Sequence, residues 1–142
     1  MERVRTKNDA ETLAAGERFA HTLKAGDVVA LDGDLGAGKT VFARGIAKGL
    51  GIMDVIVSPT FTILREYEGS MPLYHFDVYR IGDADELFDI GFSEYLDGDG
   101  ISVVEWAEKV PGLLPARAVY VRIEKTGNNT REIIIKKDYE AQ

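Results

Sequence analysis

Residues 33–40 read GDLGAGKT. They fit the pattern G-x-x-x-x-G-K-[ST] at every fixed position. The segment follows a short apolar run stopped by glycine, DVVALDG, which reads as a buried strand. It precedes KTVFARGIAKGL, where Phe42, Ile46 and Leu50 share one helical face and Gly51 closes the run. A strand, a glycine loop and a helix in this order leave few architectures open. A mere glycine-rich turn with a solvated lysine would not need its glycines, lysine and threonine in this register.

The loop's chemistry follows from its residue types. Gly36 and Gly38 lack side chains, so backbone N–H groups along Leu35, Gly36, Ala37 and Gly38 can close around phosphate oxygens. Lys39 and Thr40 open the following helix, whose positive dipole end favours an anion. Lys39 is placed to reach the β- and γ-phosphates, and Thr40 to offer its hydroxyl to a magnesium ion. Such a hard cation prefers oxygen ligands and keeps several waters.

The rest of the chain supplies the scaffold. Asn8 followed by Glu11 resembles a capping box, and Leu13, Gly16, Phe19, Ala20 and Leu23 recur at helical spacing. The spacing predicts a helix over 9–24, ended by Gly26. TFTILREYE and PLYHFDVYRI, rich in β-branched and aromatic residues, predict an antiparallel pair. DADELFDIGFSEYL predicts a helix opening with acids. GISVVEW predicts a strand, and AEKVPGLL a short helix broken at Pro111. AVYVRIEK and REIIIKK, joined through TGNN, predict a closing hairpin, and the polar DYEAQ a frayed end. Together these elements predict one domain over 1–142. Its fold class is α/β, a three-layer P-loop NTPase-like fold with a mixed central sheet.

Two carboxylates stand out against this frame. The run ISVVE ends in Glu105, and a carboxylate at the end of a buried strand is costly unless something positive faces it. In phosphate-loop folds a strand beside the loop strand ends in an acid that supports the metal. Asp is commoner there, and the longer Glu can bind the ion directly. The alternatives are an acid that has simply reached solvent, or a metal role for the nearby Glu108. Along LYHFDVYRI, alternation puts His75, Asp77 and Tyr79 on one face and Tyr74, Phe76 and Val78 on the other. Asp77 then either orients an attacking water or a metal-bound one, or pairs with a neighbouring Arg or His. His75 reads as a satisfied structural histidine and His21 as a surface residue. In SPTFT, Ser58 and Thr60 flank Pro59. This is either a hydroxyl-bearing switch loop or a plain strand-entry turn.

GDLGAGKT, SPTFT, HFDVYR and VEW, in this order and spacing, resemble the TsaE (YjeE) family across nearly the whole chain. That resemblance implies a small ATPase, weak when alone, required for N6-threonylcarbamoyladenosine at position 37 of tRNA. It implies ATP and Mg2+ as cofactors, and TsaB and TsaD as partners. The family's hydrolysis is thought to reset that pair between turnovers. By the same resemblance, Thr40 and Glu105 are metal ligands and Asp77 lies at the γ-phosphate side. Thr60 belongs to the switch-like loop, and Trp106 to the same cluster. Asp9 and Arg131 fall where the family touches nucleotide outside the loop. Catalytic roles go to Asp77, Thr60 and Glu105.

Bulk properties exclude other classes. With 17 basic against 24 acidic residues the net charge is −7. Gripping nucleic acid unaided needs a basic surface, so tRNA is reached only indirectly. The chain has no cysteine, hence no disulfide framework, which suits a reducing, cytoplasmic setting. The N-terminal stretch has no apolar core of a signal peptide, and no run is long enough to span a membrane. Three rival readings remain. A small-molecule kinase would add an arginine-bearing lid, and no insertion is long enough. A GTP switch could use DGDG at 97–100, but no N-K-x-D guanine reader follows. A nucleotide-regulated interaction module with negligible turnover shades into the family reading.

Overall fold

A computed structural model describes residues 1–34, 36–54, 56, 63–81, 84–110 and 112–137. Leu35, the SPTFT loop with Thr60, Pro111 and the DYEAQ end lie outside the described residues. The elements are, in chain order, β1 (Glu2–Thr6), α1 (Asp9–Ala20), β2 (Val28–Asp32), α2 (Lys39–Gly49), β3 (Leu64–Tyr67), β4 (Leu73–Asp77), α3 (Ala84–Asp89), α4 (Phe92–Leu96), β5 (Ile101–Glu105), a 3-10 turn (Ala107–Lys109), β6 (Val119–Lys125) and β7 (Arg131–Lys137).

The seven strands form one sheet in the order β1-β7-β6-β2-β5-β4-β3. β4, β5, β2 and β6 run parallel, and the outer pairs β3–β4, β6–β7 and β1–β7 are antiparallel. The α/β fold with a mixed sheet is therefore the one the sequence predicts. Parallel strands covered on both faces read as continuous apolar runs. β2 and β5 do so, with Val28 to Leu31 and all of Ile101–Glu105 buried. β6, which joins the parallel strands to the antiparallel β7, instead alternates buried and exposed residues over most of its length.

Two apolar layers sandwich the sheet. On one face Val29, Leu31, Val103, Val121 and Ile133 pack against Phe19, Phe42 and Ile46 of α1 and α2. On the other, Val28, Ala30, Phe76 and Val104 pack against Leu87, Phe92 and Leu96 of α3 and α4. Phe76 meets Phe92 edge-on at 4.9 Å. α1 and α2 touch through glycine: a Cβ on Gly45 would collide with the Leu13 carbonyl, and one on Gly49 would lie 2.6 Å from Ala20 Cβ.

Several elements depart from the sequence reading. β1 is unpredicted: ERVRT has only Val4 as an apolar residue and is an exposed edge, paired to β7 and tied by Arg3 to Glu132 at 2.7 Å. α1 stops at Ala20 rather than residue 24, capped by the exposed His21, and Gly26 sits in a later turn. The single helix expected over DADELFDIGFSEYL is two short helices, because Gly91 takes φ 79° between them. β4 ends at Asp77 rather than running on to Ile81, and β5 ends at Glu105, leaving Trp106 outside the strand.

Candidate functional site

The C-terminal ends of β2, β5 and β4 lie side by side, with Leu31 paired to Glu105 and Glu105 to Asp77. In open α/β sheets this end of the strands is where ligands bind. A cleft of about 480 Å3 opens here. It is lined by Gly36, Gly38, Lys39, Thr40 and Val41 from the loop and α2, and by Asp77, Tyr79 and Arg80 after β4. Glu105 and Trp106 of β5's end complete it, with Asp9 of α1 and Arg131 of β7.

The loop geometry follows from its glycines. A Cβ at Gly33 would come within 2.6 Å of the Ile123 carbonyl oxygen, so the chain leaves β2 tight against β6. Gly38, at φ 103°, is the N-cap of α2 and supplies no side-chain cap. The first N–H groups of that helix are therefore open to an external acceptor. Ala37 does not line the cleft: its side chain is 1% exposed and packs into the core under the loop. Any contribution it makes to an anion is through its backbone.

Lys39 is a cation buried at this cleft. It is 6% exposed, and its Nζ has no hydrogen-bond partner among the described residues. It lies instead over the Trp106 ring, 3.6 Å from the centroid. Burial pulls its ammonium below the usual lysine value, opposed by the charges of Glu105, Glu108, Asp77 and Asp32. A buried ammonium with no hydrogen-bond partner among the described residues, beside open helix N–H groups, has the chemistry to receive a polyanion.

The two carboxylates flank it. Glu105 is 3% exposed, so it is not an acid that has escaped to solvent. Its Oε2 lies 2.5 Å from His75 Nε2. Asp77 is 6% exposed, and its Oδ1 accepts the Tyr79 N–H at 3.0 Å. That bond turns the chain out of β4 and brings Tyr79 and Arg80 into the cleft. Glu108, the competitor for the metal role, is exposed on the 3-10 turn and does not line the cleft. It lies beside Asp32, whose carboxyl is pushed up to about 7, first by burial and then by Glu108.

Arg131, expected near the nucleotide by resemblance, does line the cleft. It is 8% exposed and spends its guanidinium on carbonyls. Nη1 donates to Gly127, Asn128 and Thr130, and Nη2 to Gly36 at 3.3 Å. It thereby ties the β6–β7 turn to the phosphate loop. Tyr79 and Arg80 went unforeseen as cleft residues because the strand was expected to continue through them. The signal available was the Asp77–Tyr79 spacing, which suits a side-chain-to-backbone turn two residues on.

The residues also fit a divalent cation. Thr40 and Glu105 offer hard oxygens within one cleft. Among the described residues no cluster of three or more His, Cys, Asp or Glu stands ready to hold a metal alone. A cation here would take its other ligands from phosphate and water, which is the habit of magnesium.

This arrangement, a glycine loop between a central parallel strand and a helix with an acid ending the adjacent strand, defines a P-loop NTPase-like fold. Comparison with solved structures agrees: Bacillus subtilis YdiB superposes with a TM-score of 0.81 at 42% identity, covering 96% of this chain and 84% of that one. The family of threonylcarbamoyl adenosine biosynthesis proteins TsaE matches residues 6–133. The chain belongs to the TsaE family. Its relatives include the tRNA threonylcarbamoyladenosine biosynthesis protein TsaE of Bacillus subtilis, 48% identical over 91% of this chain and 81% of that protein. The TsaE of Treponema pallidum is 42% identical over 92% and 96%.

Proposed function

We propose that this chain binds Mg·ATP in the cleft and hydrolyses it slowly, in support of threonylcarbamoyladenosine formation on tRNA. The observation that carries the reading is the buried Lys39 ammonium, without a hydrogen-bond partner among the described residues, at the mouth of a glycine loop that also presents Thr40. The relatives' names supply the biosynthetic setting. In that setting the chain acts on the TsaB–TsaD pair rather than on tRNA.

Each residue has a task. Backbone N–H groups of the loop and the first turn of α2 hold the β- and γ-phosphates, and Lys39 neutralises oxygens between them. Thr40 and Glu105 would hold magnesium, which draws charge from the phosphate oxygens when bound. Asp77, anchored by the Tyr79 N–H, orients the attacking water. Arg131 keeps the Gly36 carbonyl turned away from the phosphates, so that the loop faces them with donors. Phosphoryl transfer passes through a loose transition state in which positioning and charge stabilisation do most of the work. A site of this kind needs no nucleophilic side chain.

The test is ATP hydrolysis and tRNA modification by the pure chain, with and without TsaB and TsaD. Lys39→Ala should lose nucleotide affinity and both activities while keeping its fold. Asp77→Ala should lower turnover by about 10²–10⁴-fold with a smaller effect on binding. Wild-type nucleotide affinity in Lys39→Ala would refute the phosphate-loop assignment. Unchanged tRNA modification on leaving the chain out would refute the biosynthetic role.

A further inference from the structure

His75 is among the most buried polar side chains of the molecule, 0% exposed in the middle of β4. It pairs across the sheet with Val103, two residues before Glu105. His75 and Glu105 are therefore diagonal neighbours on one face, the face that α2 covers. The imidazole Nε2 meets Glu105 Oε2 at 2.5 Å, and Nδ1 has no hydrogen-bond partner among the described residues. A carboxylate that binds a metal carries no proton and can only accept, so toward Glu105 in that role the ring donates through Nε2. An apolar residue would fill this place without leaving a buried nitrogen unsatisfied. The histidine is poorly explained by stability.

We propose that His75 is a positioning residue for the metal-binding carboxylate. It grips Oε2 from inside the sheet, fixes the rotamer of Glu105 and leaves Oε1 for the divalent cation. Hydrogen bonds of this outer kind orient a carboxylate ligand and raise metal affinity. A glutamate side chain has three rotatable bonds, and one anchored oxygen removes most of that freedom. The need is greater here than for an aspartate, whose shorter stem is stiffer. The Glu at this strand end and the His beneath it thus form one device.

The inference rests on Glu105 being a metal ligand, as the proposed function has it. The test is calorimetric titration of the non-hydrolysable ATP analogue AMP-PNP over a range of MgCl2 concentrations, and again without metal. His75→Leu should raise the MgCl2 needed for half-maximal tightening by about 10-fold or more. Its metal-free nucleotide affinity should stay within about twofold of wild type. His75→Gln, which keeps a donor of similar reach, should restore most of the loss. In a Glu105→Gln background, His75→Leu should change the magnesium dependence no further. Should His75→Leu fail to fold, His75→Asn, whose amide is too short to reach Glu105, takes its place with the same expected outcomes. Wild-type magnesium dependence in the variant that folds would overturn the proposal, as would an equal loss of metal-free binding. Failure of the underlying reading shows separately: Glu105→Gln alone would then leave magnesium dependence unchanged.

Discussion

Trp106, the sole tryptophan of the chain, sits where the site's strain and its charge meet. Its backbone takes φ 63°, a left-handed conformation that costs a non-glycine residue on the order of 1 kcal/mol or more. Its ring lies under the Lys39 ammonium and 4.7 Å from Tyr79. A cation over an indole gains about 0.5–2 kcal/mol, and charge-assisted hydrogen bonds to phosphate compete with that. Nucleotide should therefore draw Lys39 off the ring. Tryptophan emission should change on adding ADP or ATP, and Lys39→Ala should abolish the change. Constant emission at saturating nucleotide would contradict this. Asp32 makes a second residue-scale prediction. Its carboxyl is raised to about 7 in the fold, against about 3.9 for a free aspartate. Between those values the native state keeps a proton that the unfolded chain releases, so stability falls as pH rises through this window. Asp32→Asn removes that dependence and still donates to Glu108. The variant's stability advantage should grow from pH 4 to 7 and vanish below pH 4. Urea denaturation across this range checks it, and a difference independent of pH contradicts it.

At the scale of elements, the α1–α2 seam determines whether α2 can present the phosphate loop. Gly45 lies against the Leu13 carbonyl and 2.9 Å would separate its added Cβ from Gly16 Cα. Gly45→Ala must push backbone from backbone, where no side chain can yield. It should destabilise the protein by about 1–3 kcal/mol or more, read by thermal or urea denaturation. A neutral substitution would show that the helices are free to separate. Elements whose reason lies in their own residues were legible in the sequence. β2, α2, β5 and the β6–β7 hairpin carry apolar periodicity and glycine stops. β1 was not legible, because its pairing with β7 rests on ladder hydrogen bonds and on Arg3 and Arg5 meeting Glu132. The same division runs through the site. The loop and Glu105 announce themselves locally, whereas Arg131 acts on Gly36, 95 residues away, and His75 on Glu105 through sheet register.

For the whole molecule, charge is distributed unevenly. Residues 83–99 hold seven acids (Asp83, Asp85, Glu86, Asp89, Glu94, Asp97 and Asp99) and no base, which equals the net charge of 17 − 24 = −7. The remainder of the chain is balanced. An acidic segment following the cleft strand repels phosphate backbones rather than steering them in. Isolated chain should show no submicromolar tRNA binding by fluorescence anisotropy at about 0.15 M salt. Tight, salt-sensitive binding of bare tRNA by the pure protein would contradict a role carried out through protein partners. Among the described residues no helix is long and apolar enough to cross a membrane.

These scales meet in the proposal that the loop after β2 cages a triphosphate and that the acid ending β5 shares its magnesium. The most direct measurement is a crystal structure with AMP-PNP and Mg2+. It should show the β- and γ-phosphates over Gly36–Thr40, and magnesium bonded to Thr40 Oγ1 and Glu105 at about 2.0–2.1 Å. Nucleotide bound away from the loop, or a metal with no bond to Glu105, would contradict the account.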